Sequence, residues 1–302
     1  MRVLVTGATG FVGKVIVKQL LDSGDEVVIL TRNIAKAAIT LGSSCKYFYW
    51  TDMNSLPPLE AFQGVEGVIN LMGESISERW DNEHKKRMHE SRILGTRRIV
   101  EAIEKSSSKV KAFVSTSAIG IYGNRGNEEI NEASSVANDF LGKLCQDWEK
   151  EANQASNHGA RVVIIRVGIV LGRGGGALAK MLPIFKLGAG GPVGNGKQYM
   201  SWIHIEDLAN MYIEVLKNEN IKGVLNGTAP YPATNAEFSK VMGKVLHRPA
   251  FMPAPAFALK LVFGEMSQIL LEGQKVLAVK FKENNFRYRY PTLEMALKET
   301  AY

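Results

Sequence analysis

The sequence predicts an α/β protein, a Rossmann-type doubly wound parallel sheet with a smaller C-terminal lobe, and three observations predict it. The first thirteen residues, MRVLVTGATGFVG, carry an apolar β-branched run straight into glycines at Gly7, Gly10 and Gly13. Short apolar runs of the buried-strand type recur at 67–72 (GVINLM), 111–115 (KAFVS) and 161–167 (RVVIIRV), with helical patterning between them. After the second strand the chain carries a cation and no carboxylate, in Thr31-Arg32-Asn33.

The elements follow in order. Residues 2–6 read as the first strand. The chemistry of a pyrophosphate turn needs three glycines: one to leave the strand with positive φ, one for close backbone approach to phosphate, one for tight helix packing. The anion then meets the free N–H groups of a helix beginning near Phe11, with Thr9 and Val12 beside it. That helix runs over 11–22, Gly24 stops it, and 26–30 (EVVIL) form the second strand. In dinucleotide folds an acid at the end of that strand accepts from the ribose 2′-OH, whereas a cation accommodates a 2′-phosphate. Arg32, aided by Thr31 or Asn33, therefore selects NADP(H) over NAD(H). Residues 46–50 and 67–72 continue the sheet, and Leu71, Met72 and Gly73 end a strand at the cofactor edge. Glu74, just beyond, bonds a ribose hydroxyl or caps the next turn.

Composition excludes several classes. The chain has 302 residues, a formal charge of +7 and two cysteines, Cys45 and Cys145. That cysteine count makes no disulfide framework or zinc cluster, and no metal site is expected. No basic run is interleaved with aromatics, so the charge reads as attraction to an anionic cofactor and substrate, not to nucleic acid. No apolar stretch spans a bilayer, and a strand starting at Met1 leaves no room for a secretory signal, so a cytoplasmic protein without membrane contact is expected. The sequence leaves a homodimer open. Near Gly174 the character changes to glycine-rich loops (173–176, 188–196) and later prolines (Pro249, Pro253, Pro255). The expected division is a cofactor domain over 1–170, later sheet strands from 200–228, and a C-terminal lobe over 171–302.

One helix, about 82–105, carries an anomaly. Met88, Gly95, Ile99, Ala102 and Ile103 share one side at helical spacing, with Glu90, Arg97, Glu101 and Lys105 opposite, yet Arg92 falls among the apolar group. A guanidinium there needs an anion or carbonyls to satisfy it. Arg92 either reaches cofactor phosphates or substrate, with Ser91, Gly95 and Thr96 making space, or acts as an internal hydrogen-bond hub.

These stretches, with HESRILGTRRIVEAI, STSAIGIYG, DFLGKLCQDWE, RVGIVLGRGGGAL, LGAGGPVGNGKQYMSWIHIEDLA and the tail NGTAPYPATNAEFSKVMGKVLHRPAF, resemble an extended short-chain dehydrogenase/reductase of the NAD-dependent epimerase/dehydratase type. More narrowly the chain resembles an atypical sugar-nucleotide epimerase-like ("cell division inhibitor"-like) subgroup with its own segment over about 245–297. The resemblance implies cofactor contacts by Gly7, Thr9, Gly10, Phe11, Val12, Gly13, Leu71–Glu74 and Ser115. It also implies that active members use a Ser or Thr, a Tyr-x-x-x-Lys pair and often an Asn. Ser117 matches the serine and Arg92 takes the asparagine's place, but the tyrosine and lysine positions hold Leu141 and Cys145. The standard proton relay is missing.

Other residues compete for the chemistry. Cys145 sits among apolar helical neighbours, which raise a thiol's pKa and favour packing over nucleophilic attack. Tyr122 is an acid or a packed or substrate-stacking ring. His204 is a general base or a structural residue beside Asp207, which starts a helix. Met200 and Ser201 stand where nucleotide-sugar epimerases commonly carry Arg-Asp, which argues against a UDP-sugar substrate. Two functions survive: an NADP-dependent oxidoreductase or epimerase-like enzyme on an unidentified small molecule, using Ser117 and Arg92, or a non-catalytic NADP(H)-binding redox sensor. The missing relay favours the second; the glycine loops, Arg92 and intact cofactor turn favour the first. The family labels tilt the reading slightly to the enzyme.

Overall fold

In the computed structural model, which describes residues 1–301, seven strands build one parallel sheet. They are β1 (Arg2–Thr6), β2 (Glu26–Thr31), β3 (Lys46–Tyr49), β4 (Gly67–Asn70), β5 (Ala112–Ala118), β6 (Arg161–Val167) and β7 (Gly223–Gly227). Their spatial order is β7-β6-β5-β4-β1-β2-β3, so the winding direction reverses between β1 and β4. Ligands of open α/β sheets bind in the crevice that such a reversal opens beyond the strand C-termini.

Both faces of the sheet are covered, as an all-parallel sheet requires. On one face Ile16, Val17 and Leu20 of the first helix, α1 (Phe11–Asp22), pack with Met211, Tyr212 and Val215 of the helix Ile205–Lys217. On the other, Ile99, Val100 and Ile103 meet Phe113 and Ile164. Each of these side chains is essentially removed from water, and a buried aliphatic contributes about 1.5–3 kcal/mol.

The strands match the expected runs with modest changes at their ends; β5 continues to Ala118, three residues past the expected limit. The helix expected over about 82–105 is not uniform. Asn82–His89 and Gly95–Lys105 are α-helical, and a π turn, Glu90–Leu94, joins them. Such turns admit an extra residue and concentrate at functional sites. Here the turn lets Ser91 and Arg92, adjacent in sequence, both bond the backbone of Glu74.

Strand β7 and the helix Ile205–Lys217 come from the second half of the chain but pack on the main sheet. A separate cluster around Trp202, Phe238, Leu293 and Leu297 organises the C-terminal lobe. Its helices include Gly176–Lys186, Asn235–Leu246 and Ala256–Phe263.

Candidate cofactor cleft and the missing proton relay

The glycine turn lies at the reversal point, between β1 and α1. Gly7 has φ +65°, and a Cβ there would sit 2.8 Å from the Leu71 carbonyl oxygen. A Cβ on Gly13 would sit only 2.4 Å from the Gly7 oxygen, so the third glycine permits the helix to close on the turn. Gly10, the N-cap of α1, offers no side-chain cap, and the first turn holds no acid. The opening N–H groups of α1 are therefore left for an anion.

A cleft of about 470 Å³ opens above this turn. Of the expected residues, Gly7, Thr9, Gly10, Thr31, Arg32 and the segment Leu71–Glu74 line it. Sequence reasoning passed over Lys36, Trp50 and Met53, which line it too. Lys36 was signalled by its place four residues beyond Arg32, on the helix that Asn33 caps. Arg32 and Lys36 are both exposed and carry no ion-pair partner among the described residues.

The other expected cofactor residues stand behind the cleft. Phe11 packs its ring against the glycine loop at 172–176, where a Cβ on Gly175 would come within 2.3 Å of it. Val12 packs on the core and Gly13 is buried. Ser115 lies buried in the sheet opposite Asn70. Beneath the turn a buried chain links Thr6, Asn70, Thr96 and Trp148: the Thr6 hydroxyl donates to Asn70 (2.7 Å), whose amide donates to Thr96 (2.9 Å), which also accepts from the Trp148 indole (3.0 Å).

Arg92 does not line the cleft. Its guanidinium donates to the Glu74 carbonyl at 2.9 Å and the Met88 carbonyl at 3.2 Å, stacks over Trp148, and fills the space a Gly73 side chain would need. Burial lowers its pKa, and no carboxylate forms an ion pair with it among the described residues. It is a hydrogen-bond hub, set just behind the cleft wall, with Glu74 near enough to favour its charge but not paired with it.

The relay positions are closed. Leu141 joins Phe140, Trp80 and Met266 in an apolar cluster. Cys145 is buried, and burial, reinforced by Glu149, pushes its thiol up to about 11. Ser117 is buried rather than facing the cleft, and its hydroxyl donates to Glu149 at 2.7 Å. Arg166 grips both oxygens of Glu149 at 2.8 Å and donates to the Tyr122 hydroxyl at 2.9 Å. Tyr122 in turn donates to Asn226 at 2.8 Å, and burial raises its pKa. Two of the catalytic expectations, Ser117 and Tyr122, thus sit in a different geometry, completing a buried Glu149–Arg166 ion pair, while Arg92 bonds backbone carbonyls elsewhere. The signal for the ion pair was present but unused: Arg166 follows a run of four apolar residues inside the strand, and Glu149 stands four residues after Cys145.

His204 caps the helix Ile205–Lys217, stacks on Tyr290 with centroids 3.8 Å apart, and is pulled down to about 4 by burial and Arg289. Asp207 accepts the backbone N–H groups of Arg289 and Tyr290. Both are structural in this arrangement. No cluster of three metal-ligating side chains occurs among the described residues.

A parallel sheet with a glycine turn at its reversal point, opening on a cleft with cations at the second strand's end, defines the class: an α/β protein of Rossmann type. The chain belongs to the NAD dependent epimerase/dehydratase family, whose model matches residues 3–226; a second model, a domain of unknown function (DUF1731), matches 254–300. It is 41% identical to the chloroplastic epimerase family protein SDR39U1 homolog of Arabidopsis thaliana, covering 99% of this chain and 86% of that one. Bacillus subtilis epimerase family protein YfhF is 37% identical, covering 99% and 97%. The crystal structure of human epimerase family protein SDR39U1 (isoform2) with NADPH superposes with a TM-score of 0.90 at 38% identity, covering 100% of this chain and 99% of that one. No helix among the described residues is long and apolar enough to cross a membrane.

Proposed function

We propose that this protein binds NADP(H) in the cleft over the glycine turn and uses it as a regulatory ligand rather than in sugar-nucleotide epimerisation. The cofactor fits the residues present. Gly7 and Gly10 would bring backbone to the pyrophosphate, and the bare N-terminus of α1 would hold its charge. Leu71 to Glu74 would flank the adenosine ribose, and Arg32 with Lys36 would neutralise the 2′-phosphate. The NADPH in the human SDR39U1 structure supports this choice. When bound, the cofactor supplies a transferable hydride; the chain supplies position and charge.

The observation that carries the regulatory reading is the closed relay. A tyrosine acts as a base near neutrality only when a neighbouring cation lowers its pKa, which is ordinarily near ~10. Leu141 and Cys145 offer no such pair, and Ser117 and Tyr122 spend their hydroxyls on Glu149 and Asn226. Titration calorimetry tests cofactor choice: Arg32→Asp weakens NADPH binding on the order of 100-fold and NADH binding little, since charge-assisted contacts to one phosphate are lost. Equal loss for both nucleotides removes Arg32 from the phosphate site.

One observation favours a second reading, an NADP(H)-dependent reductase on an unidentified small molecule. Arg92 keeps a half-buried positive charge just behind Gly73, bonded to backbone carbonyls and in no ion pair among the described residues. Such a charge stabilises a developing oxyanion. NADPH oxidation by carbonyl compounds, followed by absorbance, decides it: turnover that Arg92→Ala lowers on the order of 100-fold, with nucleotide affinity intact, establishes the reductase.

A further inference from the structure

The C-terminal lobe exposes an apolar surface that its own core does not need. The helix Ala256–Phe263 buries no residue fully, and Phe257 (75% exposed), Leu261 (79%) and Val262 stand in solvent. Phe257 and Leu261 are i and i+4, so they share a face. A second segment adjoins it: Leu187 (84%) and Ile184 are exposed at the end of the helix Gly176–Lys186, and Phe251 (74%) follows on the facing loop. Hydrogen bonds hold these segments together, from Arg248 to the Lys186 carbonyl, from the Met252 N–H to Gly190, and between the Gly194 N–H and Ala254. Single exposed apolar side chains are ordinary, but several large ones on two hydrogen-bonded segments and the helix that follows suggest an interaction surface.

Its charges say what lies opposite. Lys180, Lys186, Arg248 and Lys260 are exposed within the same two segments, and neither 176–191 nor 247–262 contains an acid. Among nearby carboxylates, Glu265 is held by Lys85, and Glu272 faces Lys260. A second copy docked by two-fold symmetry would set these cations against themselves. We propose that this face lies on an anionic lipid surface, with the aromatic and aliphatic side chains in the headgroup–acyl boundary and the cations on lipid phosphates. The lack of a spanning helix has no bearing on a helix that lies flat.

Sedimentation with vesicles tests it, using the full chain. Vesicles of equal parts phosphatidylglycerol and phosphatidylcholine should carry the protein down, pure phosphatidylcholine vesicles should not, and added salt should release it. The double variant Phe257→Ser, Leu261→Ser should lower partitioning on the order of tenfold while melting temperature and NADPH affinity stay unchanged. Equal binding to both vesicle types, binding to neither, or a concentration-dependent dimer that the double variant dissolves would each overturn the proposal.

Discussion

The nucleotide cleft and the buried region that holds the relay positions differ in what they leave free. At the nucleotide cleft, the helix N-terminus, Arg32 and Lys36 have no internal partners, and the glycines keep space clear of side chains. At the relay positions every polar group is engaged: Ser117, Glu149, Arg166, Tyr122 and Asn226 bond one another, and Leu141 and Cys145 pack. A site that binds a ligand needs unsatisfied donors and charge, whereas a site that only holds the fold satisfies its own. The contrast teaches that the polar groups left open in this chain gather at the nucleotide cleft, while those at the relay positions satisfy one another.

The sharpest way to break the comparison is at Glu149. Glu149→Gln strands the Arg166 guanidinium in the interior and should cost about 3–5 kcal/mol in denaturant unfolding. A loss below about 1 kcal/mol, as is usual for surface pairs, would mean that the network is not structural. Next in size is Gly13→Ala, whose Cβ has no room against the Gly7 oxygen. Overpacking should cost about 1–3 kcal/mol in denaturant unfolding, and the displaced turn should weaken NADPH binding on the order of tenfold, read by calorimetry. Smallest is Cys145→Ala. A buried thiol held protonated does no chemistry, so NADPH affinity and any turnover should change less than about twofold. Abolished turnover would reopen the relay positions.

Much of this was legible in the chain. The G-x-x-G-x-x-G turn, α1 over its full length and the basic end of β2 depend on local backbone needs and on residues close in sequence. Arg92 was legible as an anomaly but not as an outcome, because the carbonyl it bonds belongs to Glu74, eighteen positions away, and the ring it covers belongs to Trp148. Tyr122 and Ser117 could not be assigned by motif: whether a hydroxyl faces a cleft or a carboxylate depends on Glu149, Arg166 and Asn226, which three other elements contribute.

The sequence by itself determined the parallel α/β plan and the nucleotide turn, since periodicity and glycine act over a few residues, and its family resemblance showed Leu141 and Cys145 at the tyrosine and lysine positions. Only the tertiary structure decided that the remaining hydroxyls serve a buried ion pair, that Lys36 joins Arg32, and that the helix Ala256–Phe263 keeps its apolar face outside. Those outcomes turn on which distant groups meet, and pairing across long sequence separations is fixed by packing rather than by local preference.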